Sequence, residues 1–168
     1  MNLIVAVDKN WAIGYENKLL ISIPEDMRFF REETTGKVVI MGRNTLETFP
    51  GGKPLKNRTN IIITSKPNVQ INDGIIVHSV EEALKAAEGY KTEDIYVIGG
   101  ASIYKQMLKY CDVAHVTKID YAYHADTYFP NLDEMPEWVI TAESDERTYY
   151  DIEYGFYRYE RKKQTDRE

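Results

Sequence analysis

The stretch Ile95-Tyr96-Val97-Ile98-Gly99-Gly100-Ala101-Ser102-Ile103-Tyr104 decides the fold class. Its first four residues are a short, partly β-branched apolar run, the mark of a strand buried on both faces. The run breaks at Gly99-Gly100, and Ala101 to Leu108 reads as helix. A buried strand that passes through a turn into a helix is the building unit of parallel α/β sheets. Glycines at such a junction let a ligand approach the backbone, and free N–H groups at a helix start attract phosphate. The glycine spacing is not the dinucleotide fingerprint and there is no P-loop. By itself the turn fits a plain tight connection as well as a binding loop.

The same pattern recurs on the N-terminal side. Asn2 to Val7 is a buried strand, Val38 to Met41 a second one that ends at Gly42 before a helical segment from Arg43 to Phe49, and Asn60 to Thr64 and Ile75 to Val77 are further strands. Pro24 suits the first turn of a helix that runs to Thr35 and stops at Gly36, with Glu25 and Asp26 where acids favour the helix dipole. Ser79-Val80-Glu81-Glu82 has capping-box spacing, which predicts a helix to about Glu88. Beyond the glycine pair, Val113 to Ile119, Trp138 to Ala142 and Tyr154 to Tyr159 read as strands, and the C-terminal third holds no good helix. The expectation is an α/β fold with a central, mostly parallel sheet flanked by helices and antiparallel C-terminal strands at one edge. One domain spans 1–160, followed by a polar tail over 161–168. The polar stretch from Asp8 to Ser22 is long for a connection and reads as a functional loop.

In such sheets ligands bind beyond the carboxyl ends of the strands. The junctions to weigh are Gly42-Arg43, Thr64-Ser65-Lys66 and Gly99-Gly100-Ala101. A guanidinium at Arg43 opposes the helix dipole, so a phosphate partner accounts for it; an ordinary surface arginine is the alternative. Asp26 shares a helical face with Phe30 and is flanked by Met27, so its carboxylate is either partly buried for chemistry or a plain helix-start acid. The residues alone leave both pairs open.

Composition narrows the partners. The 168 residues are 43% apolar and 29% charged, the balance of a water-soluble globule, and the apolar runs are strand-length, with no membrane span and no export signal. A cytoplasmic, monomeric protein is expected. With 21 basic and 27 acidic side chains the net charge is −6, which repels nucleic acid and acidic membranes. Within that acidic chain, Thr48 to Asn72 carries no acid but has Lys53, Lys56, Arg58 and Lys66, a place for a small anionic ligand or a solvated loop. Cys111 is the single cysteine, and His78, His115 and His124 lack ligand spacing, so neither an internal disulfide nor a metal is expected.

Taken together, the motifs resemble the dihydrofolate reductase family from Leu3 to about Glu160. They are Ile13-Gly14 with Asn17, Pro24-Glu25-Asp26 with Phe29-Phe30, Met41-Gly42-Arg43-Asn44-Thr45, Leu55 with Arg58-Thr59-Asn60, Ile98-Gly99-Gly100-Ala101-Ser102-Ile103-Tyr104, and Asp126-Thr127 with Phe129-Pro130. Their order over nearly the whole chain makes coincidence untenable. The resemblance implies an NADPH-dependent oxidoreductase that reduces 7,8-dihydrofolate to 5,6,7,8-tetrahydrofolate for one-carbon metabolism, by hydride transfer to pterin C6 and protonation at N5. It makes Asp26 the pterin anchor, supported by Thr117. Met27, Phe30, Phe49 and Leu55 become apolar walls, and Val5, Ala6, Ile98 and Tyr104 surround the pterin and nicotinamide. Arg58 becomes the clamp for the folate glutamate. Around the cofactor it sets Ala6, Ile13, Gly14, Asn17, Leu19, Gly42, Arg43, Asn44, Thr45, Thr64, Ser65, Lys66, Gly99, Gly100, Ala101, Ser102, Ile103 and Tyr104. Arg43, Thr45 and Ser65 face phosphate, Lys66 or His78 assists near the 2′-phosphate, and a cis peptide joins the glycine pair. Asp126 steadies the first loop.

One departure stands out. The family usually carries Leu-Pro-Trp where this chain has Leu19-Leu20-Ile21, and Ile21 has no N–H to help order a water near the carboxylate. Ser22 or a rearranged water is the expected substitute. Two rivals fit less well. A pyrimidine reductase of flavin synthesis shares the fold but gives Asp26 and Arg58 no purpose. Loss of Asp26 or of the Gly99-Gly100 turn would point to a non-catalytic pterin- or nucleotide-binding protein, whereas both are present.

Overall fold

The computed structural model describes residues 1–163, so the end of the predicted polar tail, from 164 onward, lies outside the described residues. In chain order the elements are β1 (Asn2–Val7), β2 (Ala12–Tyr15), β3 (Lys18–Leu19), α1 (Pro24–Thr34), β4 (Val38–Gly42), α2 (Arg43–Glu47), β5 (Thr59–Ile63), β6 (Gly74–Val77) and α3 (Val80–Ala86). They continue with β7 (Ile95–Gly99), α4 (Ala101–Met107), β8 (Val113–Ile119), β9 (Thr127–Tyr128), β10 (Trp138–Glu143), β11 (Arg147–Tyr149) and β12 (Ile152–Arg161).

The main sheet runs β10-β12-β8-β1-β7-β4-β5-β6, with β11 paired to β12. Strands β8, β1, β7, β4, β5 and β6 are mutually parallel, while β12 joins β8 antiparallel and β10 joins β12 antiparallel. This is the predicted architecture. Its cause is visible in the continuous apolar runs, because neighbouring residues in a strand point to opposite faces. Leu3, Val38, Ile40, Ile61 and Val97 enter one apolar cluster with Met107 and Leu108 of the α4 region. Ile4, Val39, Met41, Ile62 and Ile98 enter another, against Phe29 and Phe30 of α1. Both faces of the central strands are therefore covered by helices.

Three local features differ from the sequence reading. The first loop is not featureless: β2 and β3 form a hairpin that joins β9 in a separate small sheet. Glu16 and Asn17 turn it with φ of 49° and 63°, a left-handed pair of the kind tight hairpins use. Helix α3 stops at Ala86, short of Glu88. Its Ser79 cap accepts from the Glu82 backbone N–H as expected, but the Glu82 carboxylate reaches the His78 N–H rather than that of Ser79. At the far end, Arg161 belongs to β12, and its guanidinium donates to the Cys111 and Leu108 carbonyls at 3.0 and 2.8 Å. No helix among the described residues is long and apolar enough to cross a membrane.

Candidate active site

A cleft of about 800 Å³ opens where β1, β4, β5 and β7 end. Ala6, Ile13, Gly14, Asn17, Leu19, Gly42, Arg43, Asn44, Thr45, Thr64, Ser65, Lys66 and the run Gly99 to Tyr104 all line it, so the structure brings every expected cofactor residue to one place. Val5 and Ile98 line it as well. A volume of this size suits a large organic ligand.

The cleft floor depends on close backbone approach. The Gly99-Gly100 peptide is cis, and Gly99 has φ of +137°. A Cβ on Gly99 would lie 2.9 Å from Thr45 Oγ1, so a larger residue would force a shift between β7 and α2 and strain the backbone. One end of the cleft is cationic and rich in hydroxyls. Arg43 approaches Glu47 at 3.3 Å, one helical turn on, which offsets its unfavourable place at the start of α2. Thr64 Oγ1 accepts from the Lys66 N–H at 3.2 Å, and the Thr64 carbonyl lies 2.9 Å from His78 Nδ1. Arg43, Lys66 and His78 share the lining of the cleft with Thr45 and Ser65. Such a set of donors fits phosphate groups. Ser79, Gln106 and Thr127 line the cleft too. Sequence reading assigned none of them to the cleft, although Thr127 stood in one of the family motifs and Ser79, one residue from His78, was read as a helix cap.

The carboxylate side adjoins this cleft but is not part of its lining. Asp26, in the first turn of α1, accepts a 2.6 Å hydrogen bond from Thr117 Oγ1 on β8. Burial pushes its carboxyl above the usual carboxylate value, and the Thr117 hydroxyl pulls it partly back. Phe30, Phe49 and Leu55 pack on the Ile4, Met41 and Ile98 cluster beside it. Met27, expected as a wall, is 56% exposed and stands at the surface of α1. Arg58 is braced, its Nε donating to Thr34 Oγ1 and its Nη1 to the Lys56 carbonyl, both at 3.0 Å, with the guanidinium 6.0 Å from the Phe30 ring centre. The acid-free basic segment thus divides its charge: Lys66 faces the cleft, and Arg58 faces the α1 side.

Tyr104 joins the two regions. It lines the cleft, is buried, and donates to the Ile4 carbonyl at 2.6 Å. Burial, and then the Asp26 charge, hold its phenol far above the ordinary range, so it stays a protonated donor. The first loop is tied down from the other side. Asp126 accepts from the Glu16 N–H at 3.0 Å and from Thr127 Oγ1 at 2.7 Å, and its own N–H donates to the Gly14 carbonyl at 3.1 Å. The Glu16 N–H, followed by the Thr127 hydroxyl, holds the Asp126 carboxyl below its usual value. Ile21 packs with Ile23, Ile119 and Tyr154. The Ser22 hydroxyl, expected as a substitute near the carboxylate, is directed instead at the Met27 sulfur.

A family model described as "Dihydrofolate reductase" matches residues 1–161. The chain belongs to the dihydrofolate reductase family. Among curated relatives, dihydrofolate reductase of Bacillus subtilis (strain 168) is 36% identical over 165 residues, covering 96% of this chain and 95% of that one. The Staphylococcus haemolyticus dihydrofolate reductase is 37% identical over 166 residues, again covering 96% and 95%. A solved structure of dihydrofolate reductase from Enterococcus faecalis, complexed with NADP(H) and RAB-propyl, superposes with a TM-score of 0.85 at 33% identity and covers 96% of each chain. The dihydrofolate reductase fold expected from the motifs is the fold observed.

Proposed function

We propose that this protein reduces 7,8-dihydrofolate to 5,6,7,8-tetrahydrofolate with NADPH. The observation that carries the reading is the half-buried Asp26 carboxylate, held by Thr117 directly beside a cleft with one cationic end. NADPH fits that cleft by its volume, by the glycine approach at Gly99, and by the donor set of Arg43, Thr45, Ser65 and Lys66. The Lys66 ammonium, with His78 beside it as a further polar group, favours a 2′-phosphate and hence NADPH over NADH. When bound, this cofactor supplies the hydride that reaches pterin C6.

The chain's own residues do the rest. Asp26 takes the pterin's amino group and ring N–H on its two oxygens, which fixes orientation as well as adding energy. Thr117 holds that carboxylate in place. Phe30, Phe49, Leu55 and Ile98 exclude water around the rings, and Arg58 binds the glutamate carboxylate at the outer end. Asp26 orients and polarises the pterin, and water delivers the proton to N5. Loop residues Ile13, Gly14, Asn17 and Leu19 cover the cofactor, with Asp126 holding the loop.

The test is to mix the protein with NADPH and dihydrofolate and follow nicotinamide absorbance. Loss of absorbance dependent on dihydrofolate is the expected result. Tight binding of both without turnover would show a non-catalytic binding protein instead.

A further inference from the structure

The carboxylate next to Asp26 in the chain is also held, and by different strands. Glu25 Oε1 lies 2.6 Å from Arg147 Nη1 on β11, and Glu25 Oε2 accepts from Tyr154 Oη on β12 at 3.0 Å. Arg147 and Tyr154 are direct cross-strand partners. Two residues along β12, Phe156 is the direct partner of Thr117 on β8. The Arg147 guanidinium sits 5.6 Å from the Phe156 ring centre, and the Phe156 ring lies 5.0 Å from that of Phe29 on α1. The first turn of α1 is thus gripped at two adjacent residues by one patch of sheet: Asp26 by β8, Glu25 by the β11–β12 hairpin.

Helix α1 needs such a grip. Its N-cap residue, Ile23, offers no side-chain cap. Among the described residues Asp26 itself has a single side-chain partner, Thr117, and Ile21 has no polar hydrogen to add. We propose that Glu25, Arg147 and Tyr154 form a clasp that positions Asp26 for the substrate, with Glu25 and Arg147 as positioning residues for the reduction. This rests on the reading of Asp26 as the pterin anchor.

The energies favour orientation over stability as the clasp's role. The Arg147 and Glu25 side chains are 46% and 30% exposed, and ion pairs so open to solvent contribute little to folding. A displacement of roughly 1 Å at a reacting group, by contrast, can cost on the order of a hundredfold in rate. Tyr154 is almost fully buried, and burial followed by the Glu25 contact raises its phenol, so it remains the donor.

The test uses the full-length protein with Arg147→Met, Glu25→Ala, the double variant and Arg147→Lys. Dihydrofolate KM, single-turnover hydride transfer, NADPH Kd and Tm are measured for each. Each disruptive single variant is expected to raise the dihydrofolate KM and slow hydride transfer several-fold, leaving NADPH affinity unchanged. The double variant should be no worse than the poorer single one, and Arg147→Lys should recover most of the loss. Unchanged kinetics in the single variants, losses that multiply in the double variant, or NADPH affinity falling in step with dihydrofolate would each overturn the clasp. The wild type assayed alongside separates the two ideas. If it fails to turn over dihydrofolate, the proposed function falls and the clasp falls with it; if it turns over normally while the variants match it, only the clasp falls.

Discussion

Replacing Thr117 by valine exchanges one hydroxyl for a methyl group and changes little else. Valine matches threonine in shape, and Thr117 is only 3% exposed, so the strand should keep its packing. What disappears is the 2.6 Å donation to Asp26. A hydrogen bond to a charged group contributes about 1.5–3 kcal/mol. Asp26 is only partly buried, which places this one near the lower end of the range. If all of about 1.5 kcal/mol were expressed in binding, dihydrofolate affinity would fall roughly tenfold, which is the upper bound of the expected loss. NADPH affinity should hold, since neither residue lines the cofactor cleft. The same bond now opposes the effect of burial on the carboxyl, so its loss should move the Asp26 ionisation midpoint further upward. Carbon-13 NMR of labelled aspartate reads that midpoint directly, and fluorescence titration reads the two affinities. A midpoint that stays put or falls, or an unchanged dihydrofolate affinity, would refute the reasoning.

Asp26 should also lower stability at neutral pH. Because burial raises its pKa in the folded state, the folded chain holds more protons than the unfolded one above pH 3.8, so stability falls as pH rises through that interval and stays lowered beyond it. D26N should therefore show a higher urea midpoint than wild type at pH 8, with the gap closing near pH 3; a lower midpoint at pH 8 would contradict this. Arg58→Ala should weaken dihydrofolate binding in calorimetry with NADPH binding unchanged, and the reverse pattern would assign the basic segment to the cofactor. Gly99→Ala must accommodate a Cβ 2.9 Å from Thr45 Oγ1 at a φ of +137°, a strain of about 1–3 kcal/mol that should appear both as lost stability and as weakened NADPH binding. Normal NADPH affinity in that variant would mean the Gly99 turn does not shape the cofactor floor.

Much of the fold was legible because it is written in local periodicity. Leu3-Ile4 and Ile61-Ile62 read as doubly buried strands, and each pair divides between the two faces of the sheet. The junctions after β4 and β7 were legible for the same reason, since each is a change from strand to helix pattern, whereas β5 leads through a loop into β6. The β2–β3 hairpin was not. Its strands are four and two residues long, too short for alternation to register, and it is held by Asp126 from 110 positions away.

The sequence by itself determined the parallel sheet, the loops at its carboxyl edge, and the family to which its motifs belong. It also marked Asp26, but only as an acid at a helix start or a candidate for chemistry. The tertiary structure decided that this acid is partly buried and held, by setting Thr117, 91 residues away, against one carboxylate and Tyr154, 129 residues away, against its neighbour. Strand periodicity depends on adjacent residues and survives in the linear chain. A buried carboxylate depends on which distant strands pair beside it, and that register exists only once the sheet has formed.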